Sequence, residues 1–272
     1  MALSVIDLYR DVLPKTNCGD CGFKTCMAFA GMVVSERLPI RNCPHLDADV
    51  VASCEKKLQE QYDSGKWLKK NPAKDALLWA KKRSASMVLE DLPKRIGGRI
   101  VTRNGTKVSA LPYFNKTIFV SFDTIVDEDG LELNMWEQVF IYNHIAQNGS
   151  AEPSNDWKGF SEFPNTVSKI KSMEAHIEKP IADFFSGSPD RLLLAAKRIG
   201  GVDKTKEMDS ADVAILFSPL PKVPVMLLFW DVDQKDGFEA QVKLLFDATV
   251  TQHLDIESIM FLSERIYQLL CR

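Results

Sequence analysis

Four cysteines fall within one short stretch near the amino terminus, spaced Cys18-x2-Cys21-x4-Cys26-x16-Cys43. Three thiols in one tight loop with a fourth farther along is a common way for a chain to wrap a cubane iron–sulfur cluster. Gly19 and Gly22 lie inside that loop, where a wrapped backbone needs permissive φ/ψ and close approach. Cys26 is expected in the first turn of the next helix. The dipole of that helix, with the loop N–H groups, would favour the more negative reduced cluster. Pro44 follows the distal cysteine, as in ferredoxin-type ligand turns. The reading is one [4Fe–4S] cluster on Cys18, Cys21, Cys26 and Cys43. The competing readings are a structural zinc site and four ordinary thiols that bind nothing together. A structural zinc site would want a second paired knuckle, which is missing here, although His45 would serve in place of a cysteine. Cys54 would ligate in an alternative register, and Cys271 reads as a spare thiol.

The rest of the composition narrows the setting. A disulfide scaffold spreads its cysteines through a short secreted chain, whereas four of the six here cluster in a chain of 272 residues. Met1 to Leu13 carries Asp7, Arg10 and Asp11 and reads as no signal peptide. A reducing cytoplasm is expected. The formal net charge of −3 gives no general pull towards nucleic acid or acidic membranes. The longest apolar run, Val223 to Trp230, is strand-sized, well short of the roughly 18 residues of a membrane span.

The fold class expected is α+β: a small helical cluster-binding domain over 1–62, a linker over 63–74, and an antiparallel-rich α+β domain over 75–272. In the first part, helices are predicted at 2–13, with Leu3, Ile6, Leu8, Tyr9 and Val12 as the apolar face, at Thr25 to Arg37, and at Asp47 to Gln61. The second part opens with a helix from Ala73 to Leu92, ended by Pro93 and Gly97-Gly98. A hairpin about Asn104-Gly105 follows, then a strand at Thr117 to Phe122. Helices are predicted at Leu133 to Gln147, Thr166 to Phe185 and Pro189 to Ile199. Strands are predicted at Val213 to Phe217, Val223 to Phe229 and Val242 to Phe246, the first two joined by residues 218–222. A last helix runs from Ile256 to Leu270. Tight turns and single long excursions between strands, rather than βαβ alternation, point to antiparallel sheets.

Two stretches resemble known families. Leu13-Pro14-Lys15-Thr16-Asn17-Cys18-Gly19-Asp20-Cys21-Gly22-Phe23, Thr25-Cys26-Met27-Ala28-Phe29-Ala30 and Asn42-Cys43-Pro44 resemble the N-terminal [4Fe–4S] domain of the corrinoid iron–sulfur protein large subunit. A related domain occurs in a subunit of a membrane-bound ferredoxin-oxidising complex. The corrinoid resemblance implies a low-potential cluster on the four matching cysteines, a corrinoid as second cofactor or acceptor, and a redox or corrinoid protein as partner. It implies anaerobic one-carbon metabolism as the setting. The chain departs from that family in being too short for its barrel and corrinoid-binding domains, and in lacking the Asp-x-His-x-x-Gly motif that ligates cobalt. From about residue 85, Trp157 to Phe163, Pro224 to Trp230, Phe238-Glu239-Ala240, Leu245-Phe246-Asp247 and His253 to Glu257 resemble an uncharacterised family of anaerobes, domain of unknown function 3786.

In that second part, Trp230, Asp231 and Asp233 fall at a strand end, Asp247 ends another strand, and His253 and Glu257 are four apart. Trp230, Asp231, Asp247, His253 and Glu257 form the candidate pocket. The plainer reading makes Trp230 and Phe246 core, Asp247 a turn residue and Asp255 a helix cap. His144 reads as a satisfied core or surface histidine. Three functions compete: electron transfer to a corrinoid or another redox partner; a corrinoid-dependent methyl-transfer or reductase component; and a binding or assembly module whose cluster orders a domain with little core of its own.

Overall fold

The computed structural model describes residues 3–64, 72–86, 88–208, 210–233 and 237–272. Two compact units, Met1–Pro72 and Ala73–Arg272, divide the chain. Most of the linker expected over 63–74, residues 65–71, lies outside the described residues.

The first unit is helical. α1, Val5–Asp7, starts at a capping box in which Ser4 and Asp7 exchange side-chain bonds with each other's backbone N–H, and it runs on as a π-helical turn over Leu8–Val12. The wider turn shifts the face that the sequence suggests: Leu8 is buried but Ile6 is 64% exposed. α2, Cys26–Ser35, buries Phe29, Ala30, Val33 and Val34; a 3-10 turn over Ile40–Asn42 leads to α3, Ala48–Asp63. Tyr62 near the end of α3 donates its hydroxyl to Val33 O at 2.7 Å. Gln61 accepts from Leu3 N–H and donates to Leu3 O. These bonds fasten the first residues to the last turn of α3. The core they enclose is small, and Cys26, Cys43 and Cys54 are part of it.

The second unit opens with α4, Pro72–Ser84, followed by a 3-10 turn at Leu89–Asp91 and α5, Leu92–Ile96. One long helix ending at Pro93 was expected. Instead Pro93 sits in the first turn of α5, where a missing N–H costs nothing. An antiparallel meander follows: β1 (Arg99–Arg103), β2 (Thr106–Tyr113), β3 (Lys116–Val120) and β4 (Ile125–Val126), in that order. Asn104 and Gly105, at φ +50° and +77°, make the hairpin turn.

The second sheet has five strands in the order β5-β9-β8-β7-β6: β5 (Trp157–Gly159), β6 (Val202–Asp203), β7 (Val213–Leu220), β8 (Val223–Trp230) and β9 (Gln241–Asp247). All of its pairings are antiparallel. β7 extends through the segment expected to be loop, because the register shifts between Phe217 and Leu220. That irregularity accommodates Pro219, which has no N–H to give to a ladder.

α6 (Met135–Gln147) and α11 (Ile256–Leu270) pack on each other. α11 buries Ile259, Leu262, Ile266 and Leu270 at helical spacing. α6 is buried on every side from Glu137 to Ile145, so its polar residues need partners. Glu137 accepts from the Tyr113 hydroxyl and pairs with Arg265, Asn143 donates to Ser258 Oγ, and His144 donates from Nδ1 to His253 O. The segment expected as one helix from Thr166 to Phe185 is α7 (Ile170–Met173), a π-turn over Glu174–Glu178 and α8 (Lys179–Phe185). Buried Glu178 leaves it to accept from Leu244 N–H and the Lys243 ammonium. α9 (Pro189–Arg198) and the short α10 (Val250–His253) complete the unit. No helix among the described residues is long and apolar enough to cross a membrane.

Candidate iron–sulfur centre

The cysteine loop is built by backbone conformation. Lys15, Asn17, Gly19 and Gly22 all have φ between +51° and +85°, so the chain repeatedly turns back on itself. A Cβ on Gly19 or Gly22 would meet nothing within 4 Å. The left-handed φ, rather than crowding, is what calls for glycine there. Gly22 N–H closes a turn onto Gly19 O at 2.8 Å. The loop is then tied to α2: Asn17 Oδ1 accepts from Cys26 N–H at 2.9 Å, and Thr25 Oγ1 accepts from Ala28 N–H. Cys26 is therefore the first residue of α2, with its backbone donor engaged and its thiol turned into the core. Cys43 closes the 3-10 turn through its N–H to Ile40 O.

Exposure is graded across the four thiols. Cys18 is exposed, Cys21 is half-buried, and Cys26 and Cys43 are buried. Burial pushes the Cys43 thiol up, and Cys21, Cys26 and Cys18 push it further, while the backbone N–H of His45 pulls the other way. Cys26 and Cys43 share one small core, with Cys21 packed against it. Cys54 is pushed up by burial with only Lys57 acting on it, so it stands apart from the quartet. A second tie joins the loop to the distal turn: His45 Nε2 and Asp20 Oδ2 lie 2.6 Å apart. That bond from His45, followed by one from Cys18, holds the Asp20 carboxyl below its ordinary range.

This arrangement fits a cubane. Four soft thiol donors come from two segments, and two of them, Cys26 and Cys43, are buried, the kind of donor set that holds iron in a cluster. Spacing alone puts the four cysteines forward. It does not reveal Asn17 or Asp20, whose partners are nine and twenty-five residues away, and it offers His45 only as a zinc ligand.

The C-terminal candidates do not share one pocket. In the antiparallel register Trp230 lies opposite Gln241, and Phe246 lies opposite Val225. Trp230 and Asp231 therefore sit at one end of the sheet, and Asp247 sits at the other. Trp230 Nε1–H donates to Ser210 O, and Asp231 accepts from Gly187 N–H and Val232 N–H. Asp247 accepts from the backbone N–H groups of Ser154, Asn155 and Thr249 and from two hydroxyls. Burial pushes its carboxyl up, but the bonds from Thr249 and Ser154 outweigh that and bring it below its usual range. His253 and Glu257 do not share a helix face, because the chain is extended at Leu254 between α10 and α11. His253 bonds Ala151 O, and Glu257 pairs at the surface with Lys169. Asp255 caps α11.

These two regions define a chain with a cysteine-ligand module joined to an α+β domain, and the comparisons name both parts. Residues 89–269 match the family described as Domain of unknown function (DUF3786), and the chain belongs to that family. Residues 13–45 match the family described as "Putative Fe-S cluster". The acetyl-CoA decarbonylase/synthase complex subunit gamma of Methanopyrus kandleri is 47% identical over 58 residues, 21% of this chain and 12% of that protein. The subunit gamma of Methanothermobacter thermautotrophicus is 43% identical over 49 residues, 18% of this chain and 10% of its own. Subunit gamma 1 of Methanosarcina thermophila is 27% identical over 175 residues, 61% of this chain and 33% of its own. The chain thus spans a third or less of the length of these curated relatives. No solved structure matches.

Proposed function

We propose that the amino-terminal unit holds one [4Fe–4S] cluster through Cys18, Cys21, Cys26 and Cys43, and that the protein delivers single low-potential electrons to a corrinoid or a corrinoid protein. The observation that carries the reading is that Cys43, remote in sequence, is buried in the same small core as Cys26, with Cys21 packed against it. The likeness of this stretch to gamma subunits of acetyl-CoA decarbonylase/synthase complexes supports anaerobic one-carbon metabolism in the cytoplasm as the setting, with subunits of such a complex as partners. A bound cubane supplies reversible one-electron chemistry. The chain's own part is to fix the ligands with Asn17, Thr25 and the Asp20–His45 tie, to bury two of them, and to leave the Cys18 side open to a partner. The domain beginning near residue 75 would hold or dock what receives the electron.

The test is anaerobic purification with iron and sulfide analysis, and spectra before and after dithionite and added cob(II)alamin. Four irons with four sulfides per chain, a paramagnetic signal on reduction and formation of cob(I)alamin are expected. Stoichiometric zinc without sulfide overturns the cluster, and a reducible cluster inert towards cobalamin overturns the acceptor. A second reading, a cluster that only orders its unit, is favoured by the small core in which cysteines take part. Reversible reduction without loss of helix content would set it aside.

A further inference from the structure

Cys18, Asp20 and His45 bring a sulfur, a carboxylate oxygen and an imidazole nitrogen within 4.8 Å of one another, all at the surface. His45 reaches this point from the distal turn, so the group is assembled by the fold of the unit and not by one loop. A span that short suits the ligands of a single ion. A cubane, by contrast, spreads its thiolates over separate irons. Sulfur, imidazole and carboxylate together suit zinc, cobalt(II) or iron(II), and three protein ligands leave a position for water.

We infer that, before the cluster is in place, Cys18, Asp20 and His45 bind one divalent cation of the zinc, cobalt or iron(II) class at the mouth of the cluster site. On binding, the Cys18 thiol gives its proton to solvent and the thiolate takes the metal. Cys18 cannot serve this ion and a cubane together, so the two states exclude each other. An iron(II) ion held there is poised for incorporation, whereas a zinc or cobalt ion held there has to leave before the cluster can form. The inference rests on the cluster reading only through this shared thiol.

The test titrates the full chain, stripped of cluster and kept anaerobic, with cobalt(II). One cobalt per chain is expected, with a thiolate-to-cobalt band and the visible bands of a four-coordinate ion. Asp20→Asn and His45→Gln should each weaken cobalt binding by about tenfold or more. Cys43→Ser should lose the cluster and keep the cobalt. Iron and sulfide added to the cobalt-loaded chain should release the cobalt as cluster absorbance grows. Cobalt binding that is absent, indifferent to Asp20 and His45, or lost with Cys43 overturns the inference. Failure to assemble a sulfide-bearing cluster while cobalt behaves as described sinks the cluster reading instead, so the two fail separately.

Discussion

The two units solve the burial problem in opposite ways. In Ala73–Arg272, Phe217, Leu227, Phe229, Leu244 and Phe246 from the middle of a five-stranded sheet are completely buried with α6 and α11, and the polar side chains of α6 have found partners inside. That unit has a core of its own. In Met1–Pro72 the apolar core is thin and part of it is thiol. Seventy residues with so little to bury usually need a staple. The contrast teaches where each unit finds its stability: the second in packing, hydrogen bonds and ion pairs such as Arg265–Glu137, the first in a core that thiols help to fill.

The strongest way to break this comparison is to remove a ligand. Cys26→Ser should abolish cluster content and cost the first unit much of its helical structure, while the unfolding transition of the second stays where it was. Metal analysis with limited proteolysis of each unit checks it. The reciprocal change, Leu227→Ala on β8, should lower the stability of the second unit by about 3–5 kcal/mol and leave iron content untouched.

Acid sharpens the contrast next. Burial holds His144 at about 4, well below its ordinary 6.5. The unfolded chain therefore takes up a proton that the folded unit refuses. The contribution is complete above about pH 6.5, drains away as the pH falls towards 4, and changes no further below that. It amounts to about 3 kcal/mol, and His253, also lowered by burial, adds to it. Denaturant unfolding of the second unit at pH 7.5 and pH 4.5 measures the loss, and His144→Gln should flatten it. Asp247→Asn turns an acceptor of five bonds into a poor match for its donors, and should cost about 2 kcal/mol without altering cluster content or reduction. A loss of electron transfer in that variant would restore Asp247 as a functional group. Smallest of all, Gly22→Ala meets no steric obstacle and carries only the left-handed strain of about 1 kcal/mol, read as a slightly faster loss of cluster in air.

How much of this was legible from the residues depended on range. α11 was readable end to end because its apolar period is unbroken, and Asn104-Gly105 announced its hairpin by turn chemistry alone. The antiparallel α+β class followed from the short connections. β5 and β6 were invisible, being too short to show a period. The helix breaks near Ser84 and at the π-turn after Met173 were missed because tertiary partners, such as the bonds from Lys243 and Leu244 to Glu178, decide them. The same limit governed the sites. Cysteine spacing is a local signal. Whether Trp230 and Asp247 share a pocket depends on strand register, and register places them at opposite ends of the sheet.

The brevity of β5 and β6 has a consequence for recruitment. They are the outer strands of the five-stranded sheet, with three and two residues, so an incoming chain that paired with them alone would gain only a short ladder. A chain that paired with this sheet would therefore have to reach past its outer strands to the longer β7 and β9.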